Sequence, residues 1–202
     1  MITDSNCQGF NLSVIGRCAR LKQPEIALNV LQNRPKYGMD ITSLATARRL
    51  LHALSLPRAG ETDTRRALVD CLAFAELYPF YNLPRASTDV ISCAILASVV
   101  ARQFPKDQKD QTVEQVATSE ATVTFDTWNE ILTEFEKAAK GWGDVARQTN
   151  PKAVQWLRGS IREIRLTMQR NEGRTRTWLK QFRRELRLRV GDNNLLSANT
   201  SV

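Results

Sequence analysis

PKAVQWLRGSIREIRLTMQRNEGRTRTWLKQFRRELRLR, residues 151–189, reads as two helices divided by a glycine. Leu157, Ile161, Ile164 and Met168 fall at i, i+4, i+7 and i+11, a narrow apolar stripe of the kind that docks on a partner helix. After Gly173 the pattern restarts. Trp178, Leu179, Phe182 and Leu186 share a sector of about 100°, while Arg176, Lys180, Arg183, Arg184 and Arg187 lie opposite. Strand alternation is absent from both segments, and the same helical period recurs upstream, so the expected fold class is all-α.

Working back toward the amino terminus, Thr124 or Asp126 opens a helix through Trp128, Ile131, Leu132 and Phe135, broken at Gly141-Trp142-Gly143. A lone Gly-Trp-Gly lacks the lysine and preceding strand that a phosphate loop needs. The polar segment from Pro105 to Thr122 is short of aromatics and reads as an exposed linker or short helix. Before it, Pro84 and Ser87 introduce a helix over about 88–104 that Pro105 stops. Two helical hairpins precede that helix. The first pairs Leu12, Ile15, Cys18 and Ala19 with a helix opening at Pro24 and carrying Ile26, Ala27, Val30 and Leu31; Gly38 terminates the exit turn RPKYGMD. The second pairs a helix capped by Ser43, bearing Leu44 to Leu54 and ended by Pro57 and Gly60, with one capped by Thr62 or Asp63 and stopped by Pro79. The expected organisation is a hairpin array over 8–104, a polar linker over 105–122, a basic helical region over 123–190 and a disordered tail over 191–202.

Charge is the second signal. Residues 158–189 hold eleven Arg or Lys against Glu163, Glu172 and Glu185, a local excess of +8 that equals the net charge of the chain. Ten of the eleven are Arg, the side chain suited to bidentate contact with phosphate. A polyanionic partner follows, and with a pI near 9.7 a phosphate backbone is the commonest one. The expected RNA phosphate-binding residues are Arg158, Arg162, Arg165, Arg170, Arg174, Arg176, Lys180, Arg183, Arg184, Arg187 and Arg189. Glu and Asp elsewhere in the protein, or an acidic protein surface, are the competing destinations for that charge. The last amphipathic helix could also lie on an anionic membrane, but packing against its own domain explains its apolar sector more simply.

Other function classes find little in the residues. Cys7, Cys18, Cys71 and Cys93 make no CxxC pair, and the only histidine, His52, has no nearby ligand partner, so no metal site is expected. Cys71 and Cys93 sit in apolar helical patterns and read as buried thiols in a reducing compartment. The cluster Glu130, Glu134 and Glu136 shares a helix with Lys137 and Lys140, Glu134 and Glu136 at ion-pair spacing from them, so surface pairing outranks acid–base chemistry. No catalytic residues, cofactor or small-molecule substrate is expected. The apolar run from Val90 to Ala101 is about 12 residues, short of the roughly 20 that cross a bilayer, and reads as a buried helix. The start, MITDSNCQGF, has neither the apolar stretch of a secretory signal nor the Arg-rich character of a mitochondrial presequence. The expectation is a cytosolic protein or a chain that begins downstream of its true start.

Residues Phe10 to Thr42 resemble one pentatricopeptide repeat, a two-helix unit of about 35 residues that stacks into an RNA-binding solenoid. In PEIALNVLQNRPKYGMDI, Glu25, Ala27, Leu28, Leu31 and Gly38 stand where the family has an acidic residue, the Ala-Leu pair, an apolar residue and the turn glycine. The next first-helix signal, near Leu44, follows one repeat length after Phe10 to Leu12. The second unit, Ser43 to Pro84, is longer than the family norm, and no repeat follows Pro105. The family reads an RNA base with polar residues at two places per repeat. Aligned on Ala27, Leu28 and Gly38 those places fall on Leu12 and Thr42, and leucine cannot hydrogen-bond a base edge, whereas sliding by one residue puts Asn11 there at the cost of the second-helix match. Few, degenerate repeats joined to a basic helical tail resemble the pentatricopeptide-type subunits of the mitochondrial small ribosomal subunit. That resemblance implies a helical-hairpin solenoid, a non-catalytic structural role in a ribonucleoprotein, RNA (ribosomal RNA) and neighbouring proteins as partners, and the mitochondrial matrix as location, with a presequence absent from this chain. The alternative is a helical adaptor that binds an acidic protein.

Overall fold

The computed structural model describes residues 14–57, 65–103, 125–145 and 149–198, with the backbone alone at 144, 145 and 188–198. Among these residues every regular element is helical, in agreement with the all-α expectation. In order they are α1 (14–20), α2 (Pro24–Gln32), α3 (Arg34–Tyr37), α4 (Leu44–Ser55), α5 (Arg65–Glu76), a 3-10 turn (Pro79–Tyr81), α6 (Val90–Gln103), α7 (Phe125–Lys140), α8 (Trp142–Val145), α9 (Pro151–Asn171) and α10 (Thr177–Ala198).

Local chemistry accounts for most of the boundaries. Pro24 begins α2, where its missing N–H costs no intrahelical bond. The exit turn read as RPKYGMD closes one further helical turn, α3, before Gly38 ends it at φ +61 and donates its N–H to the Arg34 carbonyl. Ser43 caps α4 as expected, its hydroxyl accepting from the Thr46 N–H. α6 starts at Val90, not at 88, because Asp89 is its cap and accepts the Ser92 N–H. Phe10 to Ser13, the caps expected at Thr62 or Asp63, and the whole polar segment 105–122 lie outside the described residues.

α6 is the axis of the packing. Of its side chains all but Leu96, Arg102 and Gln103 are buried, which a helix achieves only when neighbours surround it. α4 and α5 pack on it from the amino-terminal side, and α7 and α9 from the carboxy-terminal side, the α9 contact being the most extensive. The packing therefore runs straight across the polar segment that divides the sequence, and residues from both sides of it share one apolar cluster. Burying Ile91 or Ile95 completely stabilises the fold by about 1.5–3 kcal/mol each. The Thr167 hydroxyl donates to the Ala101 carbonyl across the α6–α9 contact. Tyr81 donates from its hydroxyl to the Leu31 carbonyl, tying the 3-10 turn to α2.

The most consequential polar pair is buried. Arg48 of α4 and Asp89 are ion-paired, Nε donating to Oδ2 at 2.9 Å and Nη2 to Oδ1. The Ser92 hydroxyl donates to the same carboxylate at 2.7 Å and shares a hydrogen bond with the Tyr78 hydroxyl. One aspartate thus caps α6, neutralises α4 and closes a four-residue network. At the other end of α4, Arg102 donates from Nη2 to the Ser55 carbonyl at 2.6 Å, covering an acceptor that the helix leaves open.

α10 continues through Gly191 to Ala198, beyond the point where the sequence reads as a disordered tail. No proline interrupts this stretch, and one interior glycine costs only about 1 kcal/mol. Residues 199–202 lie outside the described residues.

Candidate nucleic-acid interface

Two helices build the site. Asn150 caps α9 by accepting the Lys152 N–H, and Pro151 opens it. Leu157, Ile161, Ile164 and Met168 are all buried, as the stripe requires. Gly173, at φ +67, carries the chain around to α10. There Leu179, Phe182 and Leu186 are buried, and Phe182 meets Phe135 and Trp142 edge to face. With both stripes facing inward, the rotation of each helix is fixed, and so is the direction of its arginines.

Five of the eleven basic residues converge. Arg158, Arg162 and Arg165 on α9 face Arg183 and Arg187 on α10 across a groove of about 440 Å3, floored by Ile161 and Leu186. The spacing on α9 is i, i+4, i+7, the same as that of the stripe beside it, so it was visible in the sequence; the matching pair on α10 depends on how the helices cross. Burial holds the Arg183 guanidinium below its ordinary pKa, and the positive charges of Arg165 and Arg187 add to that lowering. Arg165 Nε is buried with no hydrogen-bond partner.

The three acidic residues of the region all serve other partners. Glu172 accepts from Arg176 Nε and Nη2, Glu185 accepts from Gln181, and the charge of Glu163 acts on Arg102 of α6. None of them lines the groove. Among the described residues it is a cleft lined by five cationic forks and two apolar side chains, with no carboxylate in its lining, which suits a chain of phosphates.

The other six expected residues are dispersed. Arg176 is engaged with Glu172 and also donates to the Asn129 side chain of α7, a structural use. Lys180 and Arg184 lie on a separate face of α10 beside Gln181 and Glu185. Arg170 donates from Nε to the Leu166 carbonyl of its own helix, and Arg174 is exposed at the turn. The side chain of Arg189 lies outside the described residues.

Among the described residues, the thiols are buried, the histidine is stacked, and Glu134 and Glu136 are paired. Burial pushes the Cys71 and Cys93 thiols up to about 12, and both are free and buried, as is Cys18. His52 stacks on Trp156 with ring centroids 4.7 Å apart, and burial, reinforced by the Arg102 charge, lowers its pKa to about 4. Lys137 pairs with Glu134 at 2.6 Å and Lys140 with Glu136 at 3.7 Å, the surface pairing that the spacing predicts. Among the described residues no group of three or more His, Cys, Asp or Glu could hold a metal ion, and no helix is long and apolar enough to cross a membrane. Compared with family models, curated proteins and solved structures, the chain has no match.

Proposed function

We propose that this protein is a non-catalytic RNA-associated protein whose α9–α10 groove holds a phosphate backbone, serving as a structural component of a ribonucleoprotein. The observation that carries the reading is the convergence of Arg158, Arg162, Arg165, Arg183 and Arg187 on one groove whose lining, among the described residues, holds no carboxylate. A cluster of like charges is unfavourable in the isolated protein, and a polyanion relieves it. Both helices are held by buried stripes, so the array is fixed before the partner arrives. That preorganisation favours a folded RNA over a flexible tether. The resemblance of residues 10–84 to pentatricopeptide repeats extends the proposal to a hairpin solenoid and to the mitochondrial small ribosomal subunit as the assembly.

Labelled RNA hairpins titrated at about 50 and about 200 mM salt test the groove, because each neutralised phosphate contributes about 0.9 to the slope of log K against log salt on a duplex. Arg162→Glu combined with Arg183→Glu is expected to weaken binding at least about 100-fold at the lower salt and to flatten the slope by two units or more. Unchanged affinity and slope would sink the reading. Tight binding of polyglutamate, with RNA failing to compete, would replace RNA with an acidic protein.

A further inference from the structure

A second cavity lies away from the groove, between the amino-terminal parts of α4 and α9. Its volume is about 560 Å3, within the range of about 300–1,000 Å3 that small-molecule sites occupy. Two of its lining residues, Ala45 and Ala153, have small side chains.

The wall carries two kinds of group. One is a fixed aromatic plane: Trp156 lines the cavity, whereas His52, stacked on it with 18° between the rings, does not, so the imidazole backs the indole and leaves part of it open. With its pKa lowered to about 4, His52 is neutral at ordinary pH and adds no charge of its own to the stack. The other is a pair of cations, Arg49 from α4 and Lys152 from α9, neither of which pairs with a carboxylate among the described residues. The Arg49 guanidinium is braced against α1 at Gly16, where an added Cβ would stand 3.6 Å from Nη2. Arg48, which also lines the cavity, is already bound to the buried Asp89. The helix ends contribute little of their own, since Ser43 and Asn150 cap both from within.

An aromatic plane beside two unpaired cations matches a ligand with a planar ring at one end and an anion at the other. We propose that this cavity binds a nucleoside phosphate, the base stacked on Trp156 and the phosphate held by Arg49 and Lys152. The ligand is either a free nucleotide or one unstacked nucleotide of an RNA strand. The site shares no residue with the α9–α10 groove, and the inference does not rest on the groove's reading.

The test uses the full chain with adenosine monophosphate, adenosine, inorganic phosphate and a short unstructured oligoadenylate as probes, read by tryptophan fluorescence and calorimetry. Adenosine monophosphate is expected to quench saturably, with adenosine and inorganic phosphate each at least about tenfold weaker. Arg49→Gln with Lys152→Gln is expected to lower that affinity at least about tenfold with the circular dichroism unchanged, since neither side chain holds the fold together. Trp156→Phe, which keeps a ring against His52, is expected to weaken binding less than the double variant. Arg162→Glu with Arg183→Glu should leave it untouched, so failure of the groove and failure of the cavity are separable. If the oligoadenylate binds more tightly than the mononucleotide and loses that advantage in the Arg49/Lys152 variant, the ligand is a strand; if it binds no better, the ligand is the free nucleotide. The proposal is overturned if neither adenosine monophosphate nor the oligoadenylate gives a saturable response, if the response survives the Arg49/Lys152 substitutions, or if inorganic phosphate binds as tightly as the mononucleotide.

Discussion

Arginine is used in two opposite ways in this protein. In the amino-terminal helices Arg48 is buried, doubly bonded to Asp89, and part of a network that reaches Ser92 and Tyr78. In the α9–α10 groove five arginines stand together with their local glutamates directed elsewhere. A buried charge without its partner is strongly destabilising, so neither member of the first arrangement can be lost alone without cost to the fold. Clustered charges at a solvated groove repel, so the second adds nothing to stability and leaves binding capacity free. Composition treats these residues alike; the direction of the nearest carboxylate separates them.

The largest effect that divides the two is on folding. Asp89→Ala leaves the Arg48 charge buried and removes the α6 cap, and is expected to cost about 3–5 kcal/mol in urea unfolding. Arg48→Met with Asp89→Ser removes both charges, keeps a capping hydroxyl, and should restore more than half of that loss. Arg162→Ala, by contrast, is expected to change stability by less than about 0.5 kcal/mol. A groove substitution as costly as Asp89→Ala would erase the distinction.

How far the sequence reveals this division follows from the range of each interaction. Caps and breakers act over three or four residues, so Ser43, Gly38, Pro151 and Gly173 all stand where the sequence puts them. The apolar stripes are equally local, and Leu157 to Met168 and Leu179 to Leu186 are buried as read. Asp89 does not stand out as a cap in the sequence, because Pro84 and Ser87 are competing start signals. Its pairing with Arg48 spans 41 residues and leaves no periodic trace. The same limit applies to the candidate site. That Arg158, Arg162 and Arg165 share a face is a matter of helical period, but that Arg183 and Arg187 close the other side depends on how α10 crosses α9. Arg176 and Lys180 therefore looked equivalent to the groove residues, although neither lines it.

A smaller effect comes from His52, which couples the amino-terminal helices to α9 through Trp156. Its pKa falls from 6.5 in the unfolded chain to about 4 in the folded one, through burial first and the Arg102 charge second. Between those values the unfolded state binds more protons, so stability is complete above about pH 6.5 and is lost as the pH falls toward 4. With part of the ring reaching water, the loss should be on the order of 1–2 kcal/mol. Thermal melts of the wild type and of His52→Gln across that window measure it, and the substitution should remove that share of the slope. Equal slopes would mean that the stack carries no proton-linked stability.

The smallest expected effect is the sharpest test of the division, because Arg176 lies within the basic segment yet is held as Arg48 is held. It bonds to Glu172 one turn earlier and to Asn129 of α7, so it fastens the start of α10 to its neighbour. Partial exposure and the short separation from Glu172 make the contribution modest, and Arg176→Ala is expected to cost about 1 kcal/mol. Its RNA affinity should stay within about threefold of the wild type, and the salt slope should not move, because no phosphate contact is lost. Measured beside Arg162→Ala, the two variants should cross: one lowers stability and spares binding, the other lowers binding and spares stability. If both lower binding equally, the charge acts as a diffuse field over the whole segment, and the groove is no more than its most crowded part.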